Sequence, residues 1–148
     1  MKYLLYYGIF FWLNVQGQNI LQKENAALLN LFEVLKKHFP TDNQIIVVQT
    51  RWGCHSCNQI VTNFIKRKYR SRKHTFIIAF TSKKELEIQF SKSVLESSNV
   101  IIDKNNEAIR NGLILENSLI FYLENRVVKK KIILTPENVE NELRESDL

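Results

Sequence analysis

Two cysteines, Cys54 and Cys57, lie in the stretch Arg51-Trp52-Gly53-Cys54-His55-Ser56-Cys57, and the chain has no others. They follow the strand-like run Ile45-Ile46-Val47-Val48. A Cys-x-x-Cys pair at the start of a helix, directly after a buried strand, has a physical reason to be reactive. The first sulfur meets free backbone N–H groups and the positive helix end, both of which favour the thiolate. The second lies about one turn on, close enough to attack a mixed disulfide and release the bound partner. In this pattern Cys54 is the attacking thiol and Cys57 the resolving one. His55 would add positive charge or a donor at the Cys54 sulfur, and Arg51 would do the same if it turns inward. No dissociable cofactor is needed, but a redox partner must reset the pair.

Other chemistry is open to the same residues. In an exported protein the pair could be a static disulfide, although a bridge this local cannot staple a fold. A closed zinc site needs about four ligands; there is no second cysteine pair, and His38 or His74 would have to be brought in by folding. Two thiolates and a histidine also suit copper by softness. A c-type haem needs histidine directly after the second cysteine, where Asn58 stands.

The elements that must position the pair follow from periodicity. Residues 22–39 read as an amphipathic helix with Leu21, Leu28, Leu29, Phe32, Leu35 and Phe39 on a broken apolar stripe. Residues 44–49 form a strand whose unbroken apolar centre suits burial on both faces. A helix over 57–69, a strand over 75–80, a helix over 83–96 and a strand over 100–102 follow. A turn at Asp103-Lys104-Asn105-Asn106 leads to a short helical piece at 107–112. Strands 118–123 and 127–134 make an antiparallel hairpin through Glu124-Asn125-Arg126. In the last helix, Thr135 is the expected N-cap and Pro136 the first helical residue. This order predicts an α/β sandwich with a mixed central sheet, helices on both faces and an extra helix at the N-terminal side.

The first seventeen residues differ from the rest. Lys2 is followed by an apolar, aromatic run over 3–13, and Val15-Gln16-Gly17 places small residues before Gln18. This is the layout of a secretory signal peptide, so 1–17 is expected to be the signal and 18–148 one domain. Retention of 3–13 as a membrane attachment is the alternative, although the run is shorter than the roughly 17–25 residues a span needs. The setting implied is periplasmic or extracellular. The net charge of +6 favours anionic partners without specifying one. Six of the nine residues Lys66-Arg67-Lys68-Tyr69-Arg70-Ser71-Arg72-Lys73-His74 are Lys or Arg. They either complement a helix C-terminus in solvent or contact an acidic protein or anionic surface. Nucleic acid is not expected, because no aromatic platform accompanies the charge.

Trp52, the Cys54-His55-Ser56-Cys57 motif and the surrounding order of elements resemble the thioredoxin-like superfamily, and within it the secreted TlpA/peroxiredoxin-type branch of bacteria. The stretch from Val100 to Ala108 resembles the strand, turn and short helix these proteins carry before their second half, and Ser118 to Val127 resembles the hairpin that follows. The resemblance implies thioredoxin-like architecture and exchange of disulfides with protein thiols, with Arg51, Trp52, Gly53 and Asn117 contacting the client chain. Three positions depart from the family pattern. Gly53 lengthens the Trp–Cys spacing by one, Asn117 stands where a cis-proline is expected, and Val48 matches the buried acid that assists the resolving thiol. A peroxidase would need threonine three residues before the attacking cysteine in a proline-containing loop, whereas Thr50 stands four before Cys54. The function expected is that of an exported thiol–disulfide oxidoreductase; the alternative is a non-catalytic binding or assembly module with a structural disulfide.

Overall fold

The computed structural model describes residues 20–40, 44–50, 52–79, 82–113 and 116–147. The signal segment 1–17 and Arg51 lie outside the described residues. Helix α1 (20–34) precedes strand β1 (Ile45–Thr50), helix α2 (His55–Lys68) and strand β2 (His74–Ala79). Helices α3 (Lys83–Gln89) and α4 (Lys92–Leu95) lead to β3 (Val100–Asp103) and α5 (Glu107–Arg110). The chain closes with β4 (Leu119–Glu124), β5 (Val127–Ile133) and α6 (Val139–Glu145).

The five strands form one sheet in the order β3-β2-β1-β4-β5. β1 pairs in parallel with β2, and β2 with β3. β4 runs antiparallel to β1, and β5 antiparallel to β4. β1 is therefore the central strand, which is why all six of its residues are buried. Alternate residues of the strands face opposite layers. Ile45, Val47, Phe76, Ile78 and Ile120 pack with Val61, Phe64 and Ile65 of α2, with Leu86, and with Val139 and Leu143 of α6. Ile46, Val48, Ile77, Ile101 and Phe121 pack with Leu28, Leu31 and Phe32 of α1 and with Ala108 of α5. This is a thioredoxin-like α/β fold: a mixed sheet with helices on both faces and one additional N-terminal helix.

α1 ends earlier than periodicity suggests, because Lys36 takes a left-handed conformation (φ 53°) and the chain through Phe39 is no longer helical. Its core-facing residues include Leu31, and Leu29 is exposed. Two polar contacts fasten this helix to the edge strand. Lys131 Nζ lies 2.6 Å from Glu24 Oε1, and the Asn25 side chain accepts from the Val128 N–H at 3.0 Å. The helix expected over 83–96 is two helices. Phe90 turns extended (φ −122°, ψ 139°) to bury its ring, and Ser91 takes the N-cap position of the next piece without a side-chain capping bond.

The last helix also starts later than Thr135-Pro136 implies. Asn138 is its N-cap residue; its Oδ1 accepts from the Thr135 N–H at 2.8 Å and its Nδ2 donates to the Ile133 carbonyl at 3.0 Å. Those bonds hold 135–138 as a turn. The β4–β5 hairpin closes through Asn125 and Arg126, both at positive φ, as a two-residue primed turn requires.

Candidate active site

The cysteine pair sits where β1 hands over to α2. The helix begins at His55, so Cys54 is its N-cap, at φ −64° and ψ 116°. Its sulfur does what a serine or aspartate oxygen does at that position, accepting the Cys57 N–H at 3.2 Å. The Ser56 hydroxyl lies 3.0 Å from the same sulfur. No acidic residue occupies the first turn, while Lys66, Arg67 and Lys68 occupy the last, so the helix dipole is complemented at its C-terminus and unopposed at the sulfur.

The two thiols are thereby made unequal. Hydrogen bonds from the Cys57 thiol, the Ser56 hydroxyl and the Cys57 N–H hold the Cys54 thiol below its ordinary pKa. Cys57 is buried at 3% exposure, and burial, the hydrogen bond to Cys54 and the Cys54 charge push its pKa up to about 11. Both cysteines are free thiols in the structure.

The loop ahead of Cys54 is held by a chain of hydrogen bonds. The Trp52 N–H donates to Thr50 Oγ1 at 3.2 Å, and Asn58 Nδ2 donates to the Trp52 carbonyl at 3.0 Å. The Ser118 hydroxyl donates to Asn58 Oδ1 at 3.1 Å and accepts the Thr50 N–H at 3.1 Å. Gly53 supplies the extra residue of this loop at φ +87°, a conformation that suits glycine. A Cβ there would lie 2.5 Å from the Glu116 carbonyl oxygen and 2.6 Å from Asn117 Oδ1, so the segment before β4 rests directly on Gly53.

Of the residues singled out from sequence, Trp52, Gly53, Cys54, His55, Cys57 and Asn117 thus gather around one loop. Trp52 is 40% exposed. His55 is exposed at the first helical position and lines a cleft between α2 and α3. The donors to the Cys54 sulfur are Cys57 and Ser56.

Val48 lies on the α1 face of the sheet. The β1 side chain that reaches the start of α2 is Gln49, whose Nε2 donates to Thr62 Oγ1 at 2.6 Å and to the Asn58 carbonyl at 3.3 Å. Sequence reading missed Ser56, Asn58, Gln49 and Ser118. The available signal was polarity out of place: Gln49-Thr50 ends an otherwise apolar strand, and Asn58 follows the second cysteine. Among the described residues, no three His, Cys, Asp or Glu side chains converge as a metal site would require, and no helix is long and apolar enough to cross a membrane.

No family model matches the chain, and no curated protein matches it. Several solved structures are similar. A cysteine-to-serine mutant of peroxiredoxin 6 from Arenicola marina is 14% identical over 74% of this chain and 61% of its own, with a TM-score of 0.45. A thiol-disulfide oxidoreductase from Bacteroides fragilis is 13% identical over 72% of this chain and 82% of its own, also with a TM-score of 0.45. A peroxiredoxin-like protein from Aquifex aeolicus is 12% identical over 72% and 73%, with a TM-score of 0.42. The chain thus spans about 61% of the length of the Arenicola protein. The fold assignment rests on strand order and strand direction rather than on these likenesses.

Proposed function

We propose that the chain is an exported thiol–disulfide oxidoreductase of the TlpA/peroxiredoxin-like type, with 1–17 as its signal peptide and 18–148 as one catalytic domain acting on protein clients. The observation that carries this reading is the inequality of the two thiols: Cys54 capped and lowered at the helix start, Cys57 buried and raised to about 11.

In the reducing direction the Cys54 thiolate attacks one sulfur of a client disulfide. A Cys54–client disulfide forms, and the other client sulfur leaves as a thiolate. Two of the effects that raise Cys57, the hydrogen bond to Cys54 and the charge on Cys54, are lost in that mixed disulfide. Cys57 then gives up its proton more readily, attacks the Cys54 sulfur and expels the second client thiolate. Two electrons pass to the client, and the protein is left with a Cys54–Cys57 disulfide for a redox partner to reduce. The oxidising direction is the same sequence reversed, starting from a client thiolate and the protein disulfide. His55 and Arg51 are assigned to tuning the sulfur's electrostatics, and Arg51, Trp52, Gly53 and Asn117 to contact with the client chain. The basic run at 66–74 follows the same reading as a contact for an acidic protein or anionic surface.

The test is the equilibrium potential of the pair, titrated against glutathione or dithiothreitol and read by mass. A value between roughly −120 and −270 mV, the span of working dithiol proteins, supports exchange. A value below about −300 mV would leave a binding module with a structural disulfide.

A further inference from the structure

The end of the sheet away from Cys54 is where β1 and β2 start and β4 hands over to β5, since Ile45 pairs with both His74 and Tyr122. Three connections meet there. The α2–β2 turn brings Arg70, Arg72 and Lys73, and the β4–β5 hairpin brings Arg126. The end of α1 brings Lys36 and Lys37, because the Arg126 guanidinium lies 6.0 Å from the Phe39 ring centroid. All of these cations are exposed, and among the described residues none is in an ion pair. Carboxylates do not balance them. Asp147 is taken by Lys68 at 2.6 Å and Glu124 lies 3.8 Å from Lys129, which leaves Glu33 and Glu145 at this end.

The fold does not need these charges. A helix C-terminus is complemented within its last turn, and in α2 that role belongs to Lys66, Arg67 and Lys68, whereas Arg70, Arg72 and Lys73 lie beyond the Tyr69 C-cap. What the turn contributes to packing is backbone. The Arg72 carbonyl accepts from Gln44 Nε2 at 3.1 Å, and the Lys73 carbonyl from the Ile45 N–H at 2.9 Å. Like charges gathered together repel and cost stability, so the cluster calls for an external anion. Its surroundings favour lipid. Val34, just ahead of Lys36, and Val127, next to Arg126, are 46% and 45% exposed, and cations interleaved with apolar side chains suit the headgroup boundary. Among the described residues no hydrogen bond orients the charged heads. They offer charge without the fixed geometry that pairs with a protein's carboxylates, and a fluid array of phosphates needs only the charge.

We infer that this end of the molecule binds a membrane surface rich in anionic phospholipid, with Cys54 turned away from it. α2 has 14 residues, so it holds Cys54 about 20 Å from the charged end, clear of the headgroups. The inference deepens the contact proposed above for residues 66–74 and does not depend on sulfur chemistry.

The test uses the full chain in a vesicle flotation assay at low salt. Vesicles of phosphatidylcholine with about a third phosphatidylglycerol are compared with phosphatidylcholine alone. The apolar run over 3–13 meets both alike, so the difference reads charge. Binding should be tighter to the mixed vesicles and should weaken as salt rises. At about fivefold per cation, Arg70→Ser with Arg72→Ser and Lys73→Ser should weaken it roughly a hundredfold. Removing the same charge at the cysteine end, by Lys83→Ser, Lys84→Ser and Lys104→Ser, should leave it within about threefold. Iodoacetamide should alkylate Cys54 at the same rate on and off the vesicles. Equal binding to both vesicles, equal losses in the two triple variants, or protection of Cys54 would each overturn the inference. So would capture by poly-glutamate without vesicle binding, which assigns this end to an acidic protein. A working redox potential without vesicle binding would remove the membrane contact and keep the exchange reading; vesicle binding beside an inert cysteine pair would do the reverse.

Discussion

Replacing Gly53 by alanine should cost far more than replacing Gly112, and the comparison isolates the contact between the cysteine loop and the segment before β4. Both glycines have positive φ, +87° and +69°. Either substitution incurs the left-handed backbone penalty of about 1–2 kcal/mol, partly offset by about 0.4–1 kcal/mol from a stiffer unfolded chain. Around Gly112 nothing lies within 4 Å of the added Cβ, so the net loss there should stay near 1 kcal/mol. At Gly53 the Cβ meets the Glu116 oxygen at 2.5 Å and the Glu116 carbon at 3.2 Å, where ordinary contact begins at 3.4 Å. Both are backbone atoms and cannot swing aside, so the segment before β4 must move by about the deficit. Overpacking of that kind adds roughly 1–3 kcal/mol. The expected gap between the two variants is about 2 kcal/mol, or roughly 6–10 °C in Tm for a domain of this size. Thermal and urea unfolding of both variants measure it. Equal losses would refute the packing of 116–117 on Gly53.

Ser56→Ala should raise the Cys54 pKa toward that of an ordinary thiol, because it removes the hydroxyl 3.0 Å from the sulfur and leaves the Cys57 N–H. The pH profile of iodoacetamide alkylation, read by mass, gives the midpoint, and an unmoved midpoint contradicts the assignment. Lys131→Met should cost about 1–2 kcal/mol by stranding a largely buried Glu24 carboxylate, and adding Glu24→Leu should recover most of it in thermal melts. His74 is buried between Ser71 and the Ser146 carbonyl, and burial lowers its pKa from 6.5. Below that value the unfolded chain binds the proton more readily, so His74's contribution to stability is present above pH 6.5 and is lost as pH falls through the folded value. An NMR titration midpoint for His74 at or above 6.5 would show the sign to be wrong.

Much of the layering was legible because it depends on local pattern. Ile45–Val48 and Phe76–Ile78 read as buried strands since no polar residue interrupts them, and the hairpin was marked by Asn125. The breaks were harder to see. Nothing between Lys83 and Glu96 is glycine or proline; the helix divides because burying Phe90 outweighs continuing the backbone ladder. Thr135-Pro136 carries a sound local signal that Asn138 overrides with two side-chain bonds. At the site, the cysteine pair was visible from spacing alone. Its frame was not, because Ser118 meets Asn58 and Thr50 across 60 and 68 residues.

That frame bears on how a cysteine loop can be precise without the proline expected at Asn117. A proline fixes φ and removes a donor, so its rigidity is built into the backbone. Here the constraint is carried by polar groups whose directions agree. The Thr50 N–H points to the Ser118 oxygen, the Ser118 hydroxyl to Asn58 Oδ1, Asn58 Nδ2 to the Trp52 carbonyl, and the Trp52 N–H back to Thr50 Oγ1. The ring closes on itself and fixes the Asn58 amide, since reversing it would set two oxygens against each other at Trp52. The Asn58 N–H also bonds the Cys54 carbonyl at 3.0 Å, which joins the ring to the first turn of α2. None of these bonds uses a sulfur atom. Cys54 can therefore give up the Cys57 N–H and the Ser56 hydroxyl when it forms a disulfide, while the loop that presents it stays where it is.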